Sequence, residues 1–222
     1  ADGERFQALG ARPVTVSGNL KVDTSPPPAD ERSLISLKRQ VGTRPTWAAV
    51  STHEGEEAVA VEVHTMLRGR HPGLLTTIVP RHPERANALA AEFRAMGLNV
   101  VQRTSGDRIT RDTDIFLGDT IGEMGLYLRL TEIAFVGRSL TSKGGQNPLE
   151  PAMLETAVLA GRNVQNFREA YQRLMDSGLH LHQQRSETAL HDGLIRETTK
   201  TSGARRVLLV LQDKGLIKLR PE

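Results

Sequence analysis

From about residue 46 onward, short apolar runs alternate with amphipathic stretches. Trp47-Ala48-Ala49-Val50, Leu74-Leu75-Thr76-Thr77-Ile78-Val79, Asn99-Val100-Val101, Asp114-Ile115-Phe116-Leu117, Ile133-Ala134-Phe135-Val136 and Ala157-Val158-Leu159-Ala160 each read as a strand. Between them, Glu54 to Leu67 sets Val59, Val63 and Leu67 on one helical face. Pro83 to Met96, closed by Gly97, is the next helix, followed by Gly122 to Leu130, Asn147 to Leu154 and Asn166 to Met175. Four- to six-residue strands joined by helices predict an α/β fold, a Rossmann-like parallel sheet with helices on both faces. Upstream, Val14-Thr15-Val16 reads as a short strand, Ser25-Pro26-Pro27-Pro28 as a linker and Leu34 to Val41 as a short helix. Thr104 to Thr113 is a polar surface loop. The pattern divides the chain into a lead-in and linker over 1–45, a Rossmann-like domain over 46–185 and a helical extension over 186–222. Ala1 to Gly10 reads as the tail of a helix with a glycine cap and no initiator Met, so the chain is expected to be cut from a longer protein.

In a sheet of this kind ligands bind outside the carboxyl ends of the strands, and the polar clusters fall there. Most prominent is Gly137-Arg138-Ser139-Leu140-Thr141-Ser142-Lys143-Gly144-Gly145-Gln146-Asn147-Pro148-Leu149-Glu150-Pro151, directly after the strand ending at Val136. Such a Gly/Ser/Lys loop can offer unpaired backbone N–H groups and a positive helix end to a phosphate, with Glu150 placed for a sugar hydroxyl. Ser51-Thr52-His53-Glu54-Gly55-Glu56-Glu57 places a hydroxyl and an imidazole at a strand tip. Its glutamates read as helix caps, whereas Ser51 and His53 read as ligand contacts. In Pro80-Arg81-His82-Pro83-Glu84-Arg85, Pro83 starts a helix and Glu84 with Arg85 reads as surface charge. The Arg81 guanidinium suits a phosphate or carboxylate. Gly118-Asp119-Thr120-Ile121-Gly122-Glu123-Met124 is either a capped turn or a segment whose glycines admit a base or ribose.

Composition narrows the chemistry. The 222 residues are 38% hydrophobic, enough for a core, and 29 Lys and Arg nearly balance 26 Asp and Glu. With aromatics at only 4%, a nucleic-acid module built on a basic face and stacking rings is disfavoured. The absence of cysteine removes disulfides, thiolate catalysis and Cys-based zinc sites. No apolar run approaches the roughly 18 residues that span a bilayer. The seven His lack metal-site spacing, and neither a dinucleotide glycine fingerprint nor a Walker loop is present. No metal and no cofactor is expected. Arg205-Arg206 and Lys218-Leu219-Arg220 read as solvated or membrane-proximal charge.

Taken together with Ser17-Gly18-Asn19-Leu20-Lys21-Val22-Asp23, these clusters give five motifs in the order in which they occur in the 3-deoxy-D-manno-octulosonic acid (Kdo) transferases of lipopolysaccharide biosynthesis, and the chain closely resembles the C-terminal half of that family over about residues 1–178. The resemblance implies the donor half of a two-domain GT-B glycosyltransferase, inverting and metal-free at the chemical step. It implies transfer of Kdo from CMP-Kdo to a lipid A precursor at the cytoplasmic face of the bacterial inner membrane. The donor-binding set it implies is Ser51, His53, Arg81, Gly118, Thr120, Gly122, Ser139, Gly144, Gly145, Gln146, Asn147 and Glu150. The general base, the acceptor site and the membrane contact are expected in the other half, so this chain is expected to bind CMP or CMP-Kdo and turn nothing over. Three positions depart from the family pattern: Gln146 replaces a usual His, Arg138 an often-found Gly, and Leu154-Glu155-Thr156-Ala157 a Gly-Lys-Pro turn. Two other readings stand beside this one: a different GT-B enzyme such as a UDP-sugar 2-epimerase or transferase, and a noncatalytic basic module for membranes or RNA.

Overall fold

The computed structural model describes residues 2–15, 25–176, 180–184 and 207–211. The Ser17 to Asp23 motif and most of 186–222 lie outside them. The lead-in consists of α1 (Asp2–Ala8) and α2 (Glu31–Val41), the latter capped by Asp30, whose carboxylate accepts the Ser33 N–H at 2.7 Å. Then follow β1 (Thr46–Thr52), α3 (Glu56–Arg68), β2 (Leu75–Pro80), α4 (Ala86–Ala95), β3 (Val100–Gln102) and β4 (Ile115–Leu117). The chain continues through α5 (Met124–Leu128), β5 (Ile133–Val136), α6 (Leu149–Met153), β6 (Ala157–Gly161), α7 (Arg168–Asp176), β7 (His180–Gln184) and β8 (Val207–Leu211).

All strand pairs are parallel and the sheet order is β3-β4-β2-β1-β5-β6-β8-β7. From β1 the chain first builds outward through β2 and then returns to lay β5 on the other flank. The order therefore reverses between β1 and β5, and the crevice at their carboxyl ends is where ligands bind in open α/β sheets. Side chains alternate across β1. Trp47 and Ala49 join α3 and α4 in one buried cluster, while Ala48 and Val50 join α2, α5 and α7 in the other. Burial on both faces explains why the strands read as continuous apolar runs.

Several elements differ from the sequence pattern. Val14 and Thr15 have no regular structure. The helix from Pro83 begins as a 3-10 turn, and α5 and α6 are each only five residues long. Within the extension read as helical, Val207–Leu211 is a strand, in keeping with five consecutive β-favouring apolar residues that show no helical period. The segment read as a linker is docked onto the domain. Leu37 and Val41 are buried, the Pro27 carbonyl accepts from Arg129 at 2.7 Å, and a Cβ on Gly125 would collide with the carbonyls of Pro27 and Pro28. At the amino end of the sheet the Arg44 guanidinium donates to the carbonyls of Gly73, Leu74, Thr110 and Thr113, tying β2 to the approach to β4.

Candidate functional site

The β1 and β5 tips meet closely. Gly137 follows β5 with no room for a side chain, because a Cβ there would strike the Ser51 carbonyl and Thr52 Cα. Ser51 adopts φ 53° where the β1–β2 register slips between Val50 and Thr52, which turns the chain from the strand toward α3. His53 follows, half-buried, its Nδ1 within 3.1 Å of the Ser51 carbonyl and its ring edge-on to His82 at 5.9 Å. The Arg81 N–H donates to the Thr52 carbonyl at 2.9 Å, so β2 delivers Arg81 to the same corner. Its exposed guanidinium has no partner among the described residues. Ser51, His53 and Arg81 are thus brought together as the sequence pattern predicts.

The Gly-rich loop departs from that pattern at its root. Glu56 is 1% exposed, and its carboxylate accepts the N–H groups of Arg138 (2.7 Å), Ser139 (2.9 Å), Leu140 (3.0 Å) and His53 (2.9 Å). The N–H groups that lie where a Rossmann crevice would meet phosphate are therefore occupied by the protein's own carboxylate. Ser139 is buried, its hydroxyl donating to the Val136 carbonyl and accepting the Gly161 N–H. It organises the loop and does not face a ligand. Gly144 and Gly145 likewise serve the chain: their N–H groups bond Gln165 Oε1 and the Arg138 carbonyl. Their Cβ positions lie 2.8 Å from Asn166 Nδ2 and 2.9 Å from Val164 Cα. What the loop leaves uncommitted is Ser142, whose buried Oγ has no hydrogen-bond partner among the described residues, with exposed Thr141 and Lys143 beside it. Thr141 donates to the Glu54 carbonyl at 2.9 Å, holding the loop over the His53 corner.

The glutamates read as caps are therefore more than caps. Glu57, 1% exposed, accepts from Thr52 Oγ1 at 2.9 Å and pairs with Arg85 at 2.7 Å, so Arg85 is not plain surface charge. Sequence spacing missed both roles because the partners that define them, the 138–140 turn and Arg85, are distant in the chain. The one available signal was two consecutive acids between an apolar strand and an apolar helix face.

Farther along the rim, Gly118 is fixed by the Tyr127 ring, 2.7 Å from where its Cβ would sit, so internal packing already accounts for a glycine there. Thr120 donates to Glu123 Oε2 at 2.6 Å and bonds Tyr127 Oη, and Glu123 pairs with Arg103 at 2.9 Å. Burial pushes the Glu123 carboxyl up, but the hydrogen bonds from Arg103 and Thr120 prevail and hold it below its usual range. Burial raises the Tyr127 hydroxyl well above its ordinary value. This cluster commits the Thr120 hydroxyl internally, while Gly122 stands in open space at φ 84°. Gln146, Asn147 and Glu150 lie beyond the loop, all half-buried; Asn147 Oδ1 accepts the Leu149 N–H at 3.1 Å. With α6 only five residues long, the helix end expected behind the phosphate is weak. A cavity of about 640 Å³ opens at the opposite end of the sheet, between the starts of β1 and β5, and none of the rim residues line it.

No protein-family model matches the chain. It is 35% identical over 177 residues to the 3-deoxy-D-manno-octulosonic acid transferase of Haemophilus influenzae, covering 78% of this chain and 42% of that protein. It is 36% identical over 193 residues to the Bordetella pertussis enzyme of the same name, covering 85% and 45%. The fold matches the C-terminal CMP-Kdo binding domain of WaaA from Acinetobacter baumannii with a TM-score of 0.70 at 26% identity, over 77% of this chain and 90% of that one. The chain belongs to the Kdo transferase family. It spans less than half the length of these relatives. Its Rossmann-like sheet is the GT-B-type donor-domain architecture of that family. At φ 55° the Arg138 backbone is left-handed, a conformation that glycine adopts at lower cost than arginine.

Proposed function

We propose that this chain is the donor-binding part of a Kdo transferase and holds CMP-Kdo at the β1–β5 rim. The likeness to a CMP-Kdo binding domain, over 90% of that domain's length, carries the proposal. The rim is chemically suited to the task. Arg81 supplies a guanidinium for the phosphate and Ser142 a buried hydroxyl, both without a partner among the described residues, and His53 supplies an imidazole at the crevice edge. Departure of CMP develops charge on its phosphate, and fixed donors that need no rearrangement stabilise it best. Glu56 contributes indirectly by locking the 138–140 turn and His53 in one geometry. Gln146, Asn147 and Glu150 complete the pocket on the sugar side, with Glu150 on the ribose, and Gly118, Thr120 and Gly122 line its far wall. In the whole protein the acceptor is a lipid A precursor, and the base that deprotonates it comes from outside this chain, at the cytoplasmic face of the inner membrane.

Titration calorimetry of the chain with CMP and with UDP tests the assignment. CMP is expected to bind in preference to UDP, and Arg81→Ala is expected to weaken CMP by about tenfold or more, the effect of losing a charge-assisted phosphate contact. Preference for UDP would transfer the site to another nucleotide-sugar enzyme of the same fold.

A further inference from the structure

Away from the rim, an open groove of about 500 Å³ runs between α2 and the connection from β3 to β4. Eight residues line it, among them Arg32, Arg39 and Arg108 and no carboxylate. An adjoining recess of about 360 Å³ shares Arg32, Ser36 and Gln40 with it and adds Arg103 and Asp107.

The sequence builds this face deliberately along one helix stripe. Arg32, Ile35, Ser36 and Arg39 recur at helical spacing and are all exposed, while Leu37 and Val41 are buried against the sheet. Arg108 is held opposite them because Gln40 Oε1 accepts the Ile109 N–H at 2.9 Å and the Ile109 side chain is buried. Arg103 is already paired with Glu123, yet Arg32, Arg39 and Arg108 have no partner among the described residues. Of the nearby acids, Asp30 caps α2 and Asp107 lines the adjoining recess, and no acid lines the groove of the three arginines. In the middle of these cations Ile35 leaves 45% of its surface in water.

Three unpaired guanidiniums around an exposed aliphatic side chain match a surface of phosphates over hydrocarbon. Arg32 and Arg39 are separated by about 10 Å along the helix axis, a spacing from which their side chains can reach separate headgroups. No aromatic side chain lines the groove, so it offers nothing on which unpaired bases could stack. We propose that this groove docks the domain on an anionic phospholipid bilayer, the arginines engaging headgroup phosphates and Ile35 entering the boundary beneath them. The membrane contact would then include this half of the protein, and it does not depend on which nucleotide the rim binds.

Vesicle co-sedimentation of the full 222-residue chain tests this, using phosphatidylcholine alone and phosphatidylcholine mixed with phosphatidylglycerol. The chain is expected to pellet only with the anionic vesicles and to be released as salt rises. The triple variant R32Q/R39Q/R108Q should lose on the order of a hundredfold in partitioning. I35S should lose several-fold with no change in salt dependence. Melting curves and CMP titrations of these variants should match the parent, which separates failure here from failure of the donor assignment. Parent-like vesicle binding by the triple variant would overturn the proposal and move the attraction elsewhere in the chain. So would release by millimolar inorganic phosphate at constant ionic strength, which would mark a single-phosphate site, or preferential capture of RNA over vesicles.

Discussion

Glu56 is the residue on which the rim geometry depends most directly. Its two carboxylate oxygens receive backbone N–H groups from both sides of the crevice, three of them from a turn more than eighty residues away in sequence. Glu56→Gln replaces one acceptor oxygen by an NH2 group that must face N–H donors. It should cost about 3 kcal/mol in chemical denaturation and abolish CMP binding in whatever fraction remains folded. Arg138→Gly tests the same turn from the opposite direction. A left-handed non-glycine residue is strained by roughly 1 kcal/mol, so this variant should be as stable as the parent or more stable by up to that amount. His64, fully buried, makes a distinct prediction. Its Nδ1 bonds Thr76 Oγ1 at 2.9 Å, and its Nε2 lies 3.4 Å from Asp114 Oδ1, whose charge opposes the effect of burial while Arg68 and Arg44 add to it. Burial pushes its pKa down, so the unfolded chain takes up the proton first. Stability should therefore be level above the ordinary histidine value of about 6.5 and decline as pH falls below it toward the depressed folded value. His64→Asn should flatten that slope in urea titrations at stepped pH. None of these roles was legible in sequence: spacing identifies which residues share a helix turn, not which carboxylate or imidazole a distant strand will cover.

At the scale of elements the sequence was far more informative, and for a physical reason. Strands buried on both faces must be apolar at nearly every position, and the helices between them must carry one apolar stripe, so β1 through β6 were visible as runs and α3 and α4 as periodicities. The short helices were overextended at both ends: the Asn147-Pro148 pattern placed the start of α6 two residues early, because local capping chemistry does not fix where a five-residue helix begins or stops. The Gly118 to Gly122 turn shows the same limit. Two glycines invited one explanation, but Gly118 makes room for the Tyr127 ring whereas Gly122 supplies only a left-handed backbone angle. Gly118→Ala should therefore cost about 2–3 kcal/mol through overpacking, and Gly122→Ala about 1 kcal/mol through backbone strain alone. Thermal melts of the two variants would show the ordering, and equal losses would refute this division of roles.

Across the whole molecule, the two ends of the sheet divide stability from binding. The carboxyl ends of β1, β2 and β5 carry the rim, where the exposed Arg81 guanidinium has no partner among the described residues, whereas the amino ends are tied together by Arg44, whose guanidinium is shared among four carbonyls from two connections. Burial lowers the pKa of that guanidinium, yet Asp114 and Asp112 oppose the shift, so the clamp stays charged across any ordinary pH. Arg44→Ala leaves four carbonyls to compete for water in a partly buried setting and should cost about 3 kcal/mol of global stability. Because Arg44 sits at the far end of the strands from the nucleotide, CMP affinity at a temperature where the variant is folded should be unchanged. Arg81→Ala should do the reverse, leaving the melting transition within about 0.5 kcal/mol of the parent, as for an exposed side chain without partners, while weakening CMP. Measuring both variants by denaturation and by calorimetry decides the matter. If Arg44→Ala weakens CMP as strongly as Arg81→Ala does, the two ends are coupled through the sheet and the rim is not the self-contained site its hydrogen bonds describe.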